Sequence, residues 1–347
     1  LTIQDPRKKL TQPVATNLLD STTYPNIGNN VGKVKPVAYG TIKNAEAICL
    51  NPTGSSPYSF MLCDTEFNSI SSVDAVYIDG ASATYTNNGD GTISISTAQE
   101  SDIANQLSNI TADFTATSFD NGVEIIKDLM KNYDGKEFIS SFWDTTEVAT
   151  AVSQSRDTSL YIKNNSTKLY KALESVCSDI DGRFFTLNNG LWTVRIYDET
   201  RSTDGEIEND QWISNPDIQN NGSEFLTSVV IEYDRNVKAN TSKKYENIDY
   251  QEETFDIYKQ YKTETFKTNL PTLADAQDKS ETIMNISKNV QDIIERTIFG
   301  LPDIEATDFY IASPDTRISD TEDKRVFEIM DVQRNFMNLT TKLAFRY

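Results

Sequence analysis

The sequence contains no histidine. That removes the Ser-His-Asp and Cys-His nucleophile systems, His-ligated zinc and the HExxH metalloprotease site. Cysteine is also scarce: Cys49, Cys63 and Cys177 are odd in number, widely spaced and without a CxxC pair. This argues against a disulfide framework or a Cys-rich zinc site and fits folding in a reducing cell. No apolar run approaches the roughly 18 residues of a membrane span. The opening Leu1-Thr2-Ile3-Gln4-Asp5 has no signal-peptide character, and with no Met at position 1 the natural start can lie elsewhere. Positive charge is short as well, with 32 Lys+Arg against 52 Asp+Glu and a net charge of −20 over 347 residues. Such a chain is a poor candidate for wrapping nucleic acid by phosphate neutralisation.

What is present points to sheets. The 16 Tyr, 16 Phe and 3 Trp can anchor strands or interfaces, and the length allows two or three domains. The charge is unevenly spread. Residues 1–43 carry six basic side chains (Arg7, Lys8, Lys9, Lys33, Lys35, Lys43) and two acidic ones. Residues 44–126 carry eleven Asp+Glu and no Lys or Arg, and 127–347 carry 26 basic and 39 acidic residues. An acid-only stretch of 83 residues suits a surface that must not hold polyanions, or one that docks on a basic partner. It equally suits a Ser/Thr/Asn-rich β unit whose acids serve solubility.

Residues 1–40, broken by Pro6, Pro13, Pro25 and Pro36, read as an extended arm or linker, or the end of a preceding domain, leading into a strand near 35–39. Residues 41–117 read as a small acidic β domain. Residues 73–79 alternate as a strand, and 81–86 and 92–96 flank the hairpin turn Asn87-Asn88-Gly89-Asp90-Gly91. Residues 118–205 read as an α/β unit. Val123, Ile126, Met130 and Tyr133 recur at helical spacing, as do Leu169, Leu173, Val176 and Ile180 over 166–181. A hairpin over 183–187 and 191–198 then turns at Asn188-Asn189-Gly190. Residues 206–347 read as a β-barrel-like unit with one long helix. A polar, acidic connector covers 200–224, a buried strand 226–233, strands with a long loop 240–270, and the helix 272–298. An antiparallel pair at 325–332 and 339–345 closes the chain. The expected class is α+β, mostly antiparallel barrels or sheets with a few helices, in several domains.

The chemistry-bearing motifs are weak. Gly28-Asn29-Asn30-Val31-Gly32-Lys33 approaches a P-loop but has three residues between its glycines, and Val34 stands where the Mg²⁺-binding Ser/Thr belongs. The run from Thr86 to Thr97 lacks both the first carboxylate and the closing Glu of a calcium loop. Glu206, Glu208 and Asp210 could touch a metal, though an acidic solvated loop accounts for them. A carboxylate pair of the glycosidase kind needs no histidine, but 52 acids offer no means of choosing two. The sequence therefore nominates no catalytic, cofactor-binding or metal-ligating residue and no cofactor, and the chain reads as non-enzymatic.

The order of elements carries a resemblance. Gly32-Lys33-Val34-Lys35-Pro36-Val37-Ala38-Tyr39-Gly40 resembles the G-K-x-x-P-x-x-Y-G opening of bacteriophage tail-tip and baseplate hub proteins. Ile70-Ser71-Ser72-Val73-Asp74-Ala75-Val76-Tyr77-Ile78-Asp79-Gly80 is similar to their recurrent I-x-x-V-Y-x-D-G strand. The helix at 125–133, then Asp181-Gly182-Arg183-Phe184-Phe185 with Asn189-Gly190-Leu191-Trp192, look like their helix and helix-plus-hairpin units. The closing strands match in place, so the likeness spans roughly 28–347.

The resemblance implies a virion component, assembled in the bacterial cytoplasm, that forms an oligomeric ring, commonly a trimer. Its implied partners are further copies of itself, the tail tube or distal tail protein, and tip or fibre proteins, with possible contact with the host surface. DNA would pass through without specific binding. Two other classes remain open: a host-surface carbohydrate-binding or adhesion module, and a carboxylate-based glycan hydrolase.

Overall fold

The computed structural model describes residues 6–53, 56–66, 68–96, 109–116, 119–198, 203–207, 211–214, 217–220, 225–288, 292–300, 302–305, 307–312, 325–335 and 337–346. Two short 3-10 helices (Pro6–Thr11 and Gly28–Asn30) precede a run of strands: β1 (Val37–Glu46), β2 (Ile48–Cys49), β3 (Tyr58–Met61), β4 (Ile70–Ile78), β5 (Ala81–Ser82), β6 (Thr86–Asn87), β7 (Thr92–Ile95) and β8 (Ile110–Ala116). Helices α1 (Gly122–Asp134) and α2 (Thr145–Gln154), strand β9 (Leu160–Ile162), helix α3 (Leu169–Asp179) and the hairpin β10 (Gly182–Thr186) and β11 (Trp192–Ile196) follow. Next come β12 (Gly205–Ile207), β13 (Asp217–Asn220), β14 (Ser228–Asn236), β15 (Thr241–Asn247), α4 (Gln251–Tyr258), β16 (Thr263–Lys267) and α5 (Leu273–Ser287). The chain closes with β17 (Asp292–Phe299), β18 (Phe309–Ala312), β19 (Arg325–Asn335) and β20 (Thr340–Arg346). The class is α+β, with most strand pairs antiparallel.

Local chemistry sets the helices. The Asn121 side chain accepts from the amides of Val123 and Glu124, and Gly135 at φ 71° ends α1 in the left-handed conformation. Val123, Ile126, Leu129 and Met130 turn inward onto α3, where Leu169, Leu173 and Val176 meet them. Trp143, Trp192 and Val194 complete this core, and Phe184 stacks on Trp192 at 4.7 Å between ring centroids.

Strand β1 is the organising element. It pairs with β9 at 37–39, with β8 at 40–46, and touches β14 through Lys43 opposite Asn236. These pairings make an eight-stranded sheet, in the order β15-β14-β1-β8-β4-β5 with β16 on β14 and β9 on β1. The small sheet β2-β3-β7-β6 packs on it, burying Phe60, Ile93 and Ile95 against Ile42, Ala112 and Phe114. Residues 6–34 have little regular structure but are packed. Val14 and Ala15 enter the helical core, and Leu19 and Ile27 form a small core with Leu50 and Met61.

Several sequence expectations change. The helix expected over 272–298 stops at Ser287, and Ile294 and Ile298 lie on β17. On that strand Ile294, Arg296 and Ile298 all face inward, being 4%, 1% and 3% exposed. The inward Arg296, its guanidinium 4.1 Å from the Trp212 ring, interrupts the apolar alternation, and two isoleucines four apart imitate a helix. The polar connector 200–224 supplies the edge strands β12 and β13, and the loop of 240–270 contains α4. Helix α2 adds to the two helices of 118–205, with Asp144 capping it by accepting from Thr146 and Glu147. Ala81 and Ser82 pair back on β4, leaving only 86–87 to pair with β7. The last sheet runs β12-β18-β19-β20-β17-β13, an open order, so the expected barrel is not closed among the described residues.

Candidate functional site

The sequence motifs resolve into structural turns. The backbone amides of Asn30, Val31, Gly32 and Lys33 already donate to Ile27, Gly28, Leu19 and Asn30, leaving no row of free N–H groups for a phosphate. The Asn30 side-chain Nδ2 donates to the Cys49 carbonyl at 2.8 Å and anchors the segment. In the 87–91 hairpin, Asn87 accepts from the Gly89 amide and Asp90 from the Thr92 amide, so its polar side chains serve the turn. Glu206 is exposed on β12, whereas Glu208 and Asp210 lie outside the described residues. Among the described residues no three His, Cys, Asp or Glu side chains are placed to hold a metal. The three cysteines are buried, and burial pushes the Cys63 and Cys177 thiols up to about 12, away from the thiolate a nucleophile needs. No helix of the described residues is long and apolar enough to cross a membrane.

The acid-only stretch has two kinds of acid. Asp79 caps the Asn109 amide at 2.8 Å, and Asp113 accepts from the Asn44 amide and the Tyr77 hydroxyl at 2.6 and 3.1 Å. These acids fix turns and a bulge, which explains part of the composition locally. Others face solvent: Glu46, Glu66, Asp74, Asp90 and Asp120 are exposed, while Glu100 and Asp102 lie outside the described residues. Of the described acids in 44–126, only Glu46 with Lys163 and Glu124 with Lys127 form salt bridges. The exposed remainder gives this part of the surface a negative field.

Four of the molecule's acids converge. The loop Asp64-Thr65-Glu66 lies on the 87–91 turn, Thr65 donating to the Asp90 carbonyl at 3.2 Å. The Asn17 amide bridges the Asp64 and Glu66 carboxylates. Tyr24, beside them, has its hydroxyl pKa pushed up by burial and then by Asp90, Asp20 and Asp64. Of the cations, Lys35 acts on Asp20, and none of the four acids enters a salt bridge among the described residues.

A groove of the opposite sign was hidden by the net charge. A cavity of about 480 Å³ between β1, β9, α3 and the β14–β15 hairpin is lined by Lys43, Lys163, Lys171, Arg235 and Lys238 and by no acid. Three of these cations have carboxylate neighbours: Lys43 with Asp234 at 2.6 Å, Lys163 with Glu46 at 3.3 Å, and Lys171 with Glu174 at 2.6 Å. Arg235 and Lys238 are exposed and have no salt bridge among the described residues; Arg235 donates to the Asn240 side chain at 3.0 Å. The sequence signal was available, since 235–244 holds Arg235, Lys238, Lys243 and Lys244 and no acid.

Where the helical core meets the last sheet and α5, ion pairs replace apolar contact. Arg195 on β11 reaches Glu147 of α2 at 2.8 Å and Asp308 ahead of β18 at 2.5 Å. Arg156 binds Asp181 at 2.5 Å and Asp278, and Lys279 of α5 also binds Asp181. Glu328 of β19 is reached by Arg183 of β10 at 3.6 Å and, within the last sheet, by Arg346 at 2.5 Å. These pairs surround a cavity of about 270 Å³. Burial raises the Asp308 carboxyl, and the Glu305 amide and Arg195 offset this only in part. The arrangement clamps parts together, its carboxylates held by Arg156, Arg195, Arg346 and Lys279 and by the Glu305 amide.

No family model and no curated protein matches the sequence. Solved structures do resemble the fold. A chain of the virion of the native gene transfer agent (GTA) particle superposes with a TM-score of 0.59, at 12% identity, over 98% of this chain and 91% of that one. A tail protein from Neisseria meningitidis MC58 gives 0.44 at 10% identity over 92% and 94%. The 43 kDa tail protein of prophage MuSo2 from Shewanella oneidensis gives 0.42 at 8% over 90% and 97%. At such identities the first of these establishes a shared fold along nearly the whole chain.

Proposed function

We propose that the chain is a structural component of a bacteriophage-type tail tip or baseplate hub. It forms an oligomeric ring that joins the tail tube to the tip and lets DNA pass. The observation that carries this reading is the superposition of 98% of the chain on a component of a virion particle. Three features support it: protonated, buried thiols, carboxylates committed to caps and clamps, and exposed acids such as Glu66, Asp74 and Asp120 that enter no salt bridge among the described residues. A lumen lined by such acids repels the phosphate backbone and so avoids trapping it. The tube or distal tail protein on one side and tip or fibre proteins on the other are the partners this role requires.

The test separates assembly from passage. Electron microscopy of the purified chain should show closed rings that bind tail tube. Asp74→Lys with Asp120→Lys, both at exposed positions, should keep the ring and lower DNA delivery by particles at least about tenfold. Unchanged delivery would remove the lumen from the reading. A chain that stays monomeric and ignores the tube would remove the hub itself.

A further inference from the structure

The groove and the acid convergence are complementary surfaces on one chain. The chain is acidic by 20 charges, yet its groove presents Lys43, Lys163, Lys171, Arg235 and Lys238 with no acid in the lining. The patch presents Asp20, Asp64, Glu66 and Asp90, with Glu66 and Asp90 exposed and Asp20 and Asp64 half-buried. Within one molecule the two do not meet, for no ion pair joins a groove cation to a patch acid among the described residues. The groove is also a concave site, between β1, α3 and a hairpin, whereas the patch is formed by two turns in contact with each other, 64–66 and 87–91. An acidic patch and a basic groove that do not pair within one chain are complementary in charge between copies. Such a contact is head-to-tail, and repetition of a head-to-tail contact closes into a ring when its rotation allows.

We propose that the groove is the docking site for the Asp64–Glu66 and Asp90 turns of a second copy of this chain. This rests on the ring reading above and gives it a contact. Arg235 and Lys238 carry most of the recognition, since the other three cations are already shared with Asp234, Glu46 and Glu174. The two cations without a carboxylate neighbour steer the acidic turns in, and the contact weakens with salt because both surfaces are solvated.

The test is sedimentation velocity of the full chain at low and high salt with three variants. Arg235→Glu with Lys238→Glu reverses the groove, and Glu66→Lys with Asp90→Lys reverses the patch. Each pair should weaken self-association at least about tenfold. The four changes combined should restore it, a recovery that a misfolded variant cannot give. If the wild type assembles and neither pair weakens it, the groove contact is wrong while the ring stands. If the wild type is a monomer throughout, the ring reading fails and takes the contact with it. A double-stranded oligonucleotide is added as a third arm, read by fluorescence anisotropy. Binding lost in Arg235→Glu with Lys238→Glu, while assembly is unchanged, would make the groove a polyanion site and overturn the proposal.

Discussion

Arg195 provides the sharpest test of how the parts are held. Its guanidinium is 10% exposed and lies between Glu147, 25% exposed, and Asp308, 8% exposed. Replacing it with Met keeps the stem volume and removes the charge, leaving the Asp308 carboxylate buried with only the Glu305 amide, at 2.7 Å, still donating. Breaking a buried pair costs about 3–5 kcal/mol, and the surviving amide places Arg195→Met near the lower end, about 3 kcal/mol. Asp308→Asn keeps an acceptor for both donors and should cost about 1 kcal/mol. The double variant should lie well below the sum of the two, because no lone charge is left buried.

A pH signature accompanies this. The Asp308 carboxyl already titrates above its ordinary 3.8 through burial. A carboxyl raised in the folded state costs stability once ionised, and the cost is relieved as pH falls through the folded-state pKa toward 3.8. Without Arg195 that pKa rises further, so Arg195→Met should be less destabilised at pH 5 than at pH 7. Urea unfolding followed by tryptophan fluorescence at both pH values is the assay. A loss under about 1 kcal/mol at pH 7, or one that does not shrink at pH 5, would show that the clamp is ornamental.

Three further outcomes are expected. Gly40 sits at φ 67°, and an added Cβ would lie 2.6 Å from the Thr158 carbonyl. Gly40→Ala should therefore cost at least about 3 kcal/mol by thermal or urea unfolding, and a near-neutral result would contradict the geometry of β1 against β9. Asn121→Ala removes the cap of α1 and a bond to the Val152 carbonyl; it should cost about 1–2 kcal/mol, while Asn121→Asp should keep most of that as a cap. Asp134 is 2% exposed, with neither carboxylate oxygen hydrogen-bonded among the described residues and Lys9 3.9 Å away. Burial raises its pKa, so Asp134→Asn should stabilise by about 1 kcal/mol at pH 7, with the gain fading as pH falls toward the ordinary carboxyl range. Loss of stability at pH 7 would show that the charge is compensated.

Much of the fold was legible because local signals were strong. Asn188-Asn189-Gly190 specified a hairpin, Gly135 ended α1, and the 3.6 period of 123–133 fixed its buried face. Strand β17 was misread because a buried arginine occupied an inward position, and pattern reading counts arginine as outward. Helix α2 does not announce itself although Asp144 and Glu147 stand at capping spacing, since its apolar face is short, Val148 and Ala151 with a half-buried Val152. The edge strands β12 and β13 are too short and polar to announce themselves; they exist because β18 and β17 offer unpaired edges.

By itself the sequence determined the absence of histidine chemistry, the α+β class and the acid-only 83 residues. Composition and short-range spacing suffice for those, because they depend on residues close in the chain. Only the tertiary structure decided which acids are spent on turns, as with Asp79, Asp90 and Asp113, and which remain exposed as field, as with Glu66 and Asp74. It alone gathered Lys43, Lys163, Lys171, Arg235 and Lys238, nearly 200 positions apart at the extremes, into one groove on a chain of charge −20. Electrostatic potential falls with distance in space, not along the chain, so the sign of a surface is settled only when strands and helices are packed.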